Sequence, residues 1–294
     1  MVTPLNADLT IDQNAVESLI SSFIPNEVSP FLLGTTGESV SIPDKQKSVL
    51  VKSVVKHVRQ RVKIYAGISG NCIQESVENA KKYFDMGIDA VVAHLPFYFP
   101  IAPEHMLRYY EQLAGSLPCP LILYNNPATV KYAIPTEIVE NLSYHPNIAG
   151  IKDSERNIKR LDESLKRWSH RSDFVFLLGW TAQSAYALAG GCDGIIPSTG
   201  NLIPRLYREL YLAATSNNPE EARRLQKITD RITEIIQKDK NISQSIAALK
   251  MIMSEFGLCQ PFVMPPLYQL DKAEQSLLKE QIQAEVNNLE YIFA

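Results

Sequence analysis

Seven short apolar runs, each trailed by a longer stretch with helical spacing, limit what this chain can fold into more than any other feature. The runs fall at residues 30–34, 62–67, 89–93, 120–124, 148–152, 174–178 and 194–196. The spacing between and after them predicts helices over 43–57, 75–86, 103–114, 135–142, 157–169, 182–189 and 204–215. Strands covered on both faces read as near-continuous apolar runs, and their alternation with helices implies βαβ units around a parallel sheet. An eighth, very short strand is expected at residues 1–3, ahead of a helix over 11–23. Eight strand–helix units in about 215 residues fit an α/β fold of the (β/α)8 TIM barrel type better than a doubly wound sheet. No Gly-x-Gly-x-x-Gly follows the first run, which weakens the dinucleotide-fold alternative.

Past the barrel pattern the chain reads as helices only, over 218–237, 241–256 and 272–292, with Pro261, Pro265 and Pro266 separating the last two. The expected organisation is therefore a barrel over 1–217 that carries the site, followed by a C-terminal helical extension over 218–294. Charge narrows the function classes. Twenty-nine Lys and Arg are offset by 32 Asp and Glu, giving a net charge of −3, and no basic run suggests nucleic acid. No apolar run approaches the roughly 18–20 residues a bilayer helix needs. The start of the chain lacks the basic and apolar segments of a secretory signal, so a cytoplasmic protein is expected. The four cysteines, Cys72, Cys119, Cys192 and Cys259, form no Cys-x-x-Cys and fit reduced thiols. The histidines never fall at metal-ligand spacing, so no metal site is expected.

In a barrel of this type the chemistry sits at the carboxyl ends of the strands. Lys152 ends the fifth apolar run, and alternation puts Ile148, Gly150 and Lys152 on one face. If that face points inward, Gly150 leaves space beneath a desolvated amine. Desolvation favours neutral lysine, the nucleophilic form, whose use is a Schiff base with a carbonyl substrate. The position also fits a strand-end lysine in a salt bridge with Asp153 or Glu155. Tyr124 ends the preceding run, where a phenol can shuttle the proton that carbinolamine dehydration requires; a packed aromatic with its hydroxyl at the rim fits as well. Gly34, Thr35, Thr36 and Gly37 make a tight turn whose amides and hydroxyls suit a carboxylate, or an ordinary strand-to-helix connection. Trp168 is read as packing, Cys72 and Cys192 as having no nucleophilic role, and Lys159 and Arg160 as a solvated helix face.

Four segments carry a resemblance. GTTGES at 34–39, LPFYFP at 95–100, YNNP at 124–127 and GIKDS at 150–154 stand in order on the expected second, fourth, fifth and sixth strands. Together they resemble the dihydrodipicolinate synthase / N-acetylneuraminate lyase family, over about residues 3–266. The resemblance implies a (β/α)8 barrel with a helical C-terminal extension, assembled as a dimer or a dimer of dimers. It implies that Lys152 forms an imine with pyruvate or another 2-oxo acid, and that Tyr124 transfers protons. Thr35 would link Tyr124 to Tyr98, which in the synthase branch reaches in from a neighbouring subunit. Thr36 would hold the pyruvate carboxylate and Ile196 would line the pyruvate pocket. No metal or organic cofactor is implied, because the lysine imine is itself the electron sink. An aldehyde would be the second substrate.

The departures from the family pattern concern that aldehyde. Thr129 stands where the synthase branch usually has an arginine for the acceptor carboxylate, and no side chain from Ala128 to Val130 supplies a bidentate cation. Trp180 and Thr181 stand where aspartates are common. Asn71 and Glu75 match the family's lysine-feedback pocket, whereas Phe97, Asp44 and Lys47 do not, so lysine inhibition is not expected. The acceptor side looks nearer to 2-keto-3-deoxy sugar-acid aldolases, with an N-acetylneuraminate lyase-like enzyme as a related alternative. A catalytically silent protein that binds a 2-oxo acid is the alternative from another class.

Overall fold

The computed structural model describes residues 1–286, and each of the seven apolar runs contains a strand. The chain divides into two units. One joins Met1–Lys63, Ser198–Ala213 and the chain from Glu220 onward; the other comprises Ile64–Pro197 and Ala214–Pro219.

The first unit opens with α1 (Gln13–Phe23), β1 (Phe31–Leu32) and α2 (Asp44–Val58). Asp12 starts α1 by accepting hydrogen bonds from the Asn14 and Ala15 amides. Val16, Leu19, Ile20 and Phe23 are buried on α1, and Leu50, Val51, Val54 and Val58 on the adjoining α2. The expected strand over residues 1–3 does not form. Among the described residues no ladder includes that segment. The Val2 amide instead donates to Asn201 Oδ1 (2.8 Å), the Thr3 hydroxyl donates to the Gly37 carbonyl (2.7 Å), and Leu5 forms an isolated bridge with Ile11. The Asn201 side chain takes the Val2 amide that a ladder would have paired.

The second unit holds a parallel ladder in chain order. Its elements are β2 (Tyr65–Gly67), α3 (Ile73–Met86), β3 (Ala90–Ala93), α4 (Pro103–Ser116), β4 (Leu121–Asn125), α5 (Pro127–Val130), α6 (Thr136–Leu142), β5 (Ile148–Asp153), α7 (Ile158–Trp168), β6 (Val175–Leu178), α8 (Ser184–Ala189) and β7 (Gly194–Ile195). Every ladder from β2 to β7 is parallel. All residues of β3 and β4 are buried, as strands with both faces covered must be. The short α5 was not expected. Its signal is Pro127 at the first helical position, where a missing N–H costs nothing.

The chain continues through α9 (Pro204–Thr215), α10 (Pro219–Gln237), α11 (Ile242–Glu255) and α12 (Lys272–Val286). The fold class is α/β, the (β/α)8 barrel type with helices appended at the C-terminal side. Positions 287–292 of the helix expected over 272–292 lie outside the described residues. Asn241 and Gln244 form a reciprocal capping box at the start of α11. Every residue of α11 from Ile246 to Met253 is buried, including Lys250, so this stretch of the helix is enclosed on all sides. Lys250 and Glu38 form an ion pair with both side chains 0% exposed. Lys250 Nζ donates to Glu38 Oε1 and to the Phe262 carbonyl, both at 2.6 Å, and the Met264 amide donates to Glu38 Oε2 at 2.6 Å. Burial pushes the Lys250 ammonium below its ordinary value, against the opposing pull of Glu38. Among the described residues no helix is long and apolar enough to cross a membrane.

Candidate active site

β4 and β5 run side by side with Tyr124 opposite Lys152 and Asn125 opposite Asp153. Because side chains alternate, the Tyr124–Lys152 pair shares one face and the Asn125–Asp153 pair the other. The Lys152 nitrogen lies 4.1 Å from the centroid of the Tyr124 ring. Both residues are buried, at 7% and 4% exposure. The lysine thus ends inside the protein against an aromatic wall, and not in solvent as a strand-end lysine usually does. His94, at the end of β3, has its ring 6.2 Å from that of Tyr124, and its Nδ1 lies 2.7 Å from the Leu95 carbonyl oxygen. Burial lowers the His94 imidazole below its ordinary value, which favours the uncharged ring.

On the opposite face a network of charged hydrogen bonds ties this strand end to α7. Asp153 Oδ2 accepts from Arg160 Nε at 2.6 Å, and its Oδ1 accepts from Asn125 Nδ2 (3.0 Å) and the Glu155 amide (2.8 Å). Arg160 is also 3.4 Å from Glu155 Oε2, which accepts from Asn125 Nδ2 at 3.1 Å. Burial raises the Asp153 carboxyl above its ordinary value, with Arg160 acting against the rise. Asp153 and Glu155, the acids open to a salt bridge with a strand-end Lys152, are gathered instead by an arginine from α7. Arg160 does not belong to a solvated helix face as expected; its side chain is 10% exposed. The helical spacing of α7 gave no hint of this, because the partner is a strand residue seven positions earlier.

Gly150 also differs from expectation. A Cβ there would stand 2.3 Å from the Val175 carbonyl oxygen and 2.4 Å from Val175 Cγ2. The glycine permits the close approach of β6, which pairs with β5 at this point, and opens no void beneath the amine.

Other expected site residues are placed as follows. Ile196 continues the pairing of β7, its amide donating to the Leu178 carbonyl at 2.8 Å, and it is half-buried. Tyr98 is 75% exposed and meets Phe99 edge-on with ring centroids 4.9 Å apart. The Phe97 and Tyr98 amides both donate to Asn71 Oδ1, at 3.0 and 3.2 Å, which fixes the loop. Thr35 and Thr36 belong to the other unit. There they lie in a turn closed by the Gly37 amide to the Gly34 carbonyl (3.1 Å) and the Glu38 amide to the Thr35 carbonyl (3.0 Å). Leu33 and Glu38 flank the turn in the left-handed region, at φ 54° and 56°. Thr129 donates its hydroxyl to the Asn126 carbonyl at 3.1 Å, and Asn126 Nδ2 donates to the Tyr124 phenolic oxygen at 3.1 Å. Sequence reasoning passed over Asn126; an Asn before a Pro-led helix reads as a cap.

Burial raises three thiols, Cys192 to about 12 and Cys119 and Cys259 to about 11. Trp168 is buried between Phe174 and Phe176, and its Nε1 donates to Glu140 Oε2 at 2.9 Å. Among the described residues no group of three or more His, Cys, Asp or Glu side chains is assembled to hold a metal ion.

Residues 1–285 match the model of the dihydrodipicolinate synthetase family. The 4-hydroxy-tetrahydrodipicolinate synthase of Laribacter hongkongensis is 30% identical over 286 residues, 97% of this chain and 96% of that one. The solved dihydrodipicolinate synthase of Bacteroides thetaiotaomicron superposes with a TM-score of 0.90 at 30% identity, covering 97% of this chain and 96% of that one. YagE from E. coli K12, a prophage protein of the dihydrodipicolinic acid synthase family solved in complex with pyruvate, gives a TM-score of 0.90 at 26% identity, over 97% and 96% of the two chains.

Proposed function

This chain belongs to the dihydrodipicolinate synthetase family, and from that membership and the geometry at Lys152 we propose a class I, Schiff-base-forming lyase that acts on pyruvate or a related 2-oxo acid and an aldehyde. One observation carries the proposal: a lysine nitrogen held 4.1 Å from the ring of a buried tyrosine, on the same face of two paired strands. A lysine enclosed this way forgoes hydration, and its chemical use is addition to a ketone.

In this proposal Lys152 Nζ adds to the keto carbon of pyruvate. Loss of water gives the iminium, with Tyr124 carrying the proton that lets hydroxide leave as water. The iminium draws electrons from the adjacent methyl. One methyl C–H bond breaks, its proton passing to the Tyr124 oxygen left deprotonated by the dehydration; the C–H electron pair forms the enamine C=C and the C=N pair moves onto nitrogen. The enamine carbon then attacks the aldehyde, and hydrolysis releases the product and Lys152; cleavage runs the same steps backwards. Thr36 in the Gly34–Gly37 turn would hold the carboxylate, Thr35 and Tyr98 would extend the proton relay, and Ile196 would line the pocket. The lysine imine serves as electron sink, so no cofactor or metal is assigned. Tyr98 and Phe99, 75% and 73% exposed, suit burial against a second copy of the chain in a dimer or dimer of dimers.

The acceptor is proposed to be an uncharged aldehyde of the kind released when a 2-keto-3-deoxy sugar acid is cleaved, and not aspartate semialdehyde, whose carboxylate would need an anchor at residue 129. The supporting observation is Thr129, whose hydroxyl is turned back onto the Asn126 carbonyl. A pocket without a guanidinium loses the bidentate contact that an anionic acceptor rewards.

Borohydride reduction in the presence of pyruvate tests the chemistry. Mass spectrometry is expected to find the reduced adduct on Lys152; no adduct, or one on another residue, overturns the proposal. Cleavage and condensation assays with aspartate semialdehyde, glyceraldehyde and N-acetylmannosamine test the acceptor, and a clear preference for the semialdehyde would sink that part.

A further inference from the structure

Two consecutive asparagines at the end of β4 do different work. Asn125 faces the buried charge cluster, its Nδ2 donating to Asp153 and Glu155 and its Oδ1 accepting from the Ile134 amide. Asn126 takes the other face. It occupies the residue before α5, where an asparagine side chain ordinarily accepts from the second or third amide of the helix. No such cap is made. The amides of Thr129 and Val130 go instead to the Asn126 backbone carbonyl, at 3.0 and 3.2 Å, and the Thr129 hydroxyl joins them at 3.1 Å. Three donors on one carbonyl pin the backbone, and the side chain is turned to Tyr124, with Nδ2 to Oη at 3.1 Å. Both residues are buried.

A strong capping residue that does not cap, and that points its amide at the proposed proton-transfer atom, calls for an explanation beyond helix stability. An N–H donor on a phenolic oxygen strengthens as that oxygen gains negative charge, because charge-assisted hydrogen bonds are roughly twice as strong as neutral ones. Burial increases the difference. We propose that Asn126 is a positioning residue whose amide fixes the phenol of Tyr124 and steadies its oxygen while it passes the proton of the pyruvate methyl group. This rests on the lysine-imine reading, since it concerns one step within it. Thr129 then has a second meaning: its hydroxyl helps to hold the backbone from which Asn126 reaches the phenol.

The step can be read apart from imine formation and from any aldehyde. In deuterated water, each cycle of iminium to enamine and back replaces one methyl hydrogen of pyruvate with deuterium, which proton NMR follows. Two variants are compared with the wild-type chain: Asn126→Asp, which keeps the shape but cannot donate when ionised, and Asn126→Leu, which removes the polar group. In both, methyl exchange is expected to fall by about 10- to 100-fold, the range of a hydrogen bond to a charged group. The end-point yield of borohydride trapping on Lys152 stays near that of the wild type, and the KM for pyruvate stays within about two-fold. Exchange in Asn126→Asp within about two-fold of the wild type overturns the proposal, as it shows that no donor is needed. Trapping lost in step with exchange, or both variants failing to fold, also overturns it, by assigning Asn126 a purely structural role. Absence of trapping in the wild-type chain would instead remove the lysine-imine reading itself, so the two failures are distinct.

Discussion

Replacing Lys250 with methionine should produce a large loss of stability that a second substitution largely repairs. Glu38 and Lys250 are fully enclosed, and the carboxylate keeps only the Met264 amide as a described partner when the ammonium is gone. Breaking a buried pair from one side costs about 3–5 kcal/mol, because the remaining charge is uncompensated. At roughly 2–4 °C per kcal/mol for a chain of this size class, the Lys250→Met midpoint should fall by about 6–20 °C. In the double variant Glu38→Gln/Lys250→Met no charge remains. The carboxamide introduced at position 38 can keep the Met264 amide on its oxygen. Neutral replacements of buried pairs are often close to isoenergetic, so most of the loss should be recovered. Thermal unfolding followed by near-ultraviolet circular dichroism on the four proteins of the cycle gives the coupling. A Lys250→Met midpoint within about 2 °C of the wild type would refute the reasoning, as would a double variant no more stable than Lys250→Met; either result means the pair is not the desolvated unit described above.

Tyr124→Phe should lower kcat by about 10²–10⁴ while leaving borohydride trapping detectable; unchanged turnover would remove Tyr124 from the relay. Arg160→Met should cost about 3–5 kcal/mol at neutral pH by leaving Asp153 buried and unpaired. Burial already works against the charged Asp153 carboxyl, raising it above its ordinary value of 3.8, and Arg160 opposes that rise. The Arg160→Met deficit, measured by urea unfolding, should therefore shrink as pH falls and widen as pH rises through the folded value. A deficit that is constant with pH contradicts this. Glu140 is lowered, first by the Tyr144 hydroxyl, which donates to it at 2.7 Å, and then by the Trp168 indole. Its stabilising contribution is present above the unfolded value of 4.5 and is lost as pH falls through the lower folded value. Glu140→Gln should flatten that acid-side loss, and an identical pH profile in the variant argues against the assignment.

The strands were legible because both faces of each are covered: Ala90–Ala93 and Leu121–Asn125 are buried at every position, and continuous burial writes a continuous apolar run. Helix starts were legible where a side chain does local work, as at Asn157 and Asn241. Lys152 and Tyr124 could be placed on one face from alternation and neighbouring strand order. What could not be read were contacts made across long separations. Arg160 looks like a surface residue of α7 until its strand partner Asp153 is known. Lys250 lies in a largely apolar helix whose sequence does not point to its partner, since Glu38 is far away in the chain. The strand expected at residues 1–3 failed for a related reason: Val2 finds its hydrogen-bond partner in the side chain of Asn201. Asn126 was missed because its local rule, helix capping, is the one it breaks.

The pair between Glu38 and Lys250 also sets an order of events during synthesis. The two residues are 212 positions apart, which at about 5–20 residues per second is about 10–40 s on the ribosome. Helices α1 and α2 are neighbours and can pack on each other at once. The turn that carries Thr35 and Thr36, directly ahead of Glu38, waits for a lysine from a helix made near the end of translation. A nascent chain therefore carries that turn, with Glu38 behind it, well before the lysine that pairs with Glu38 has been made.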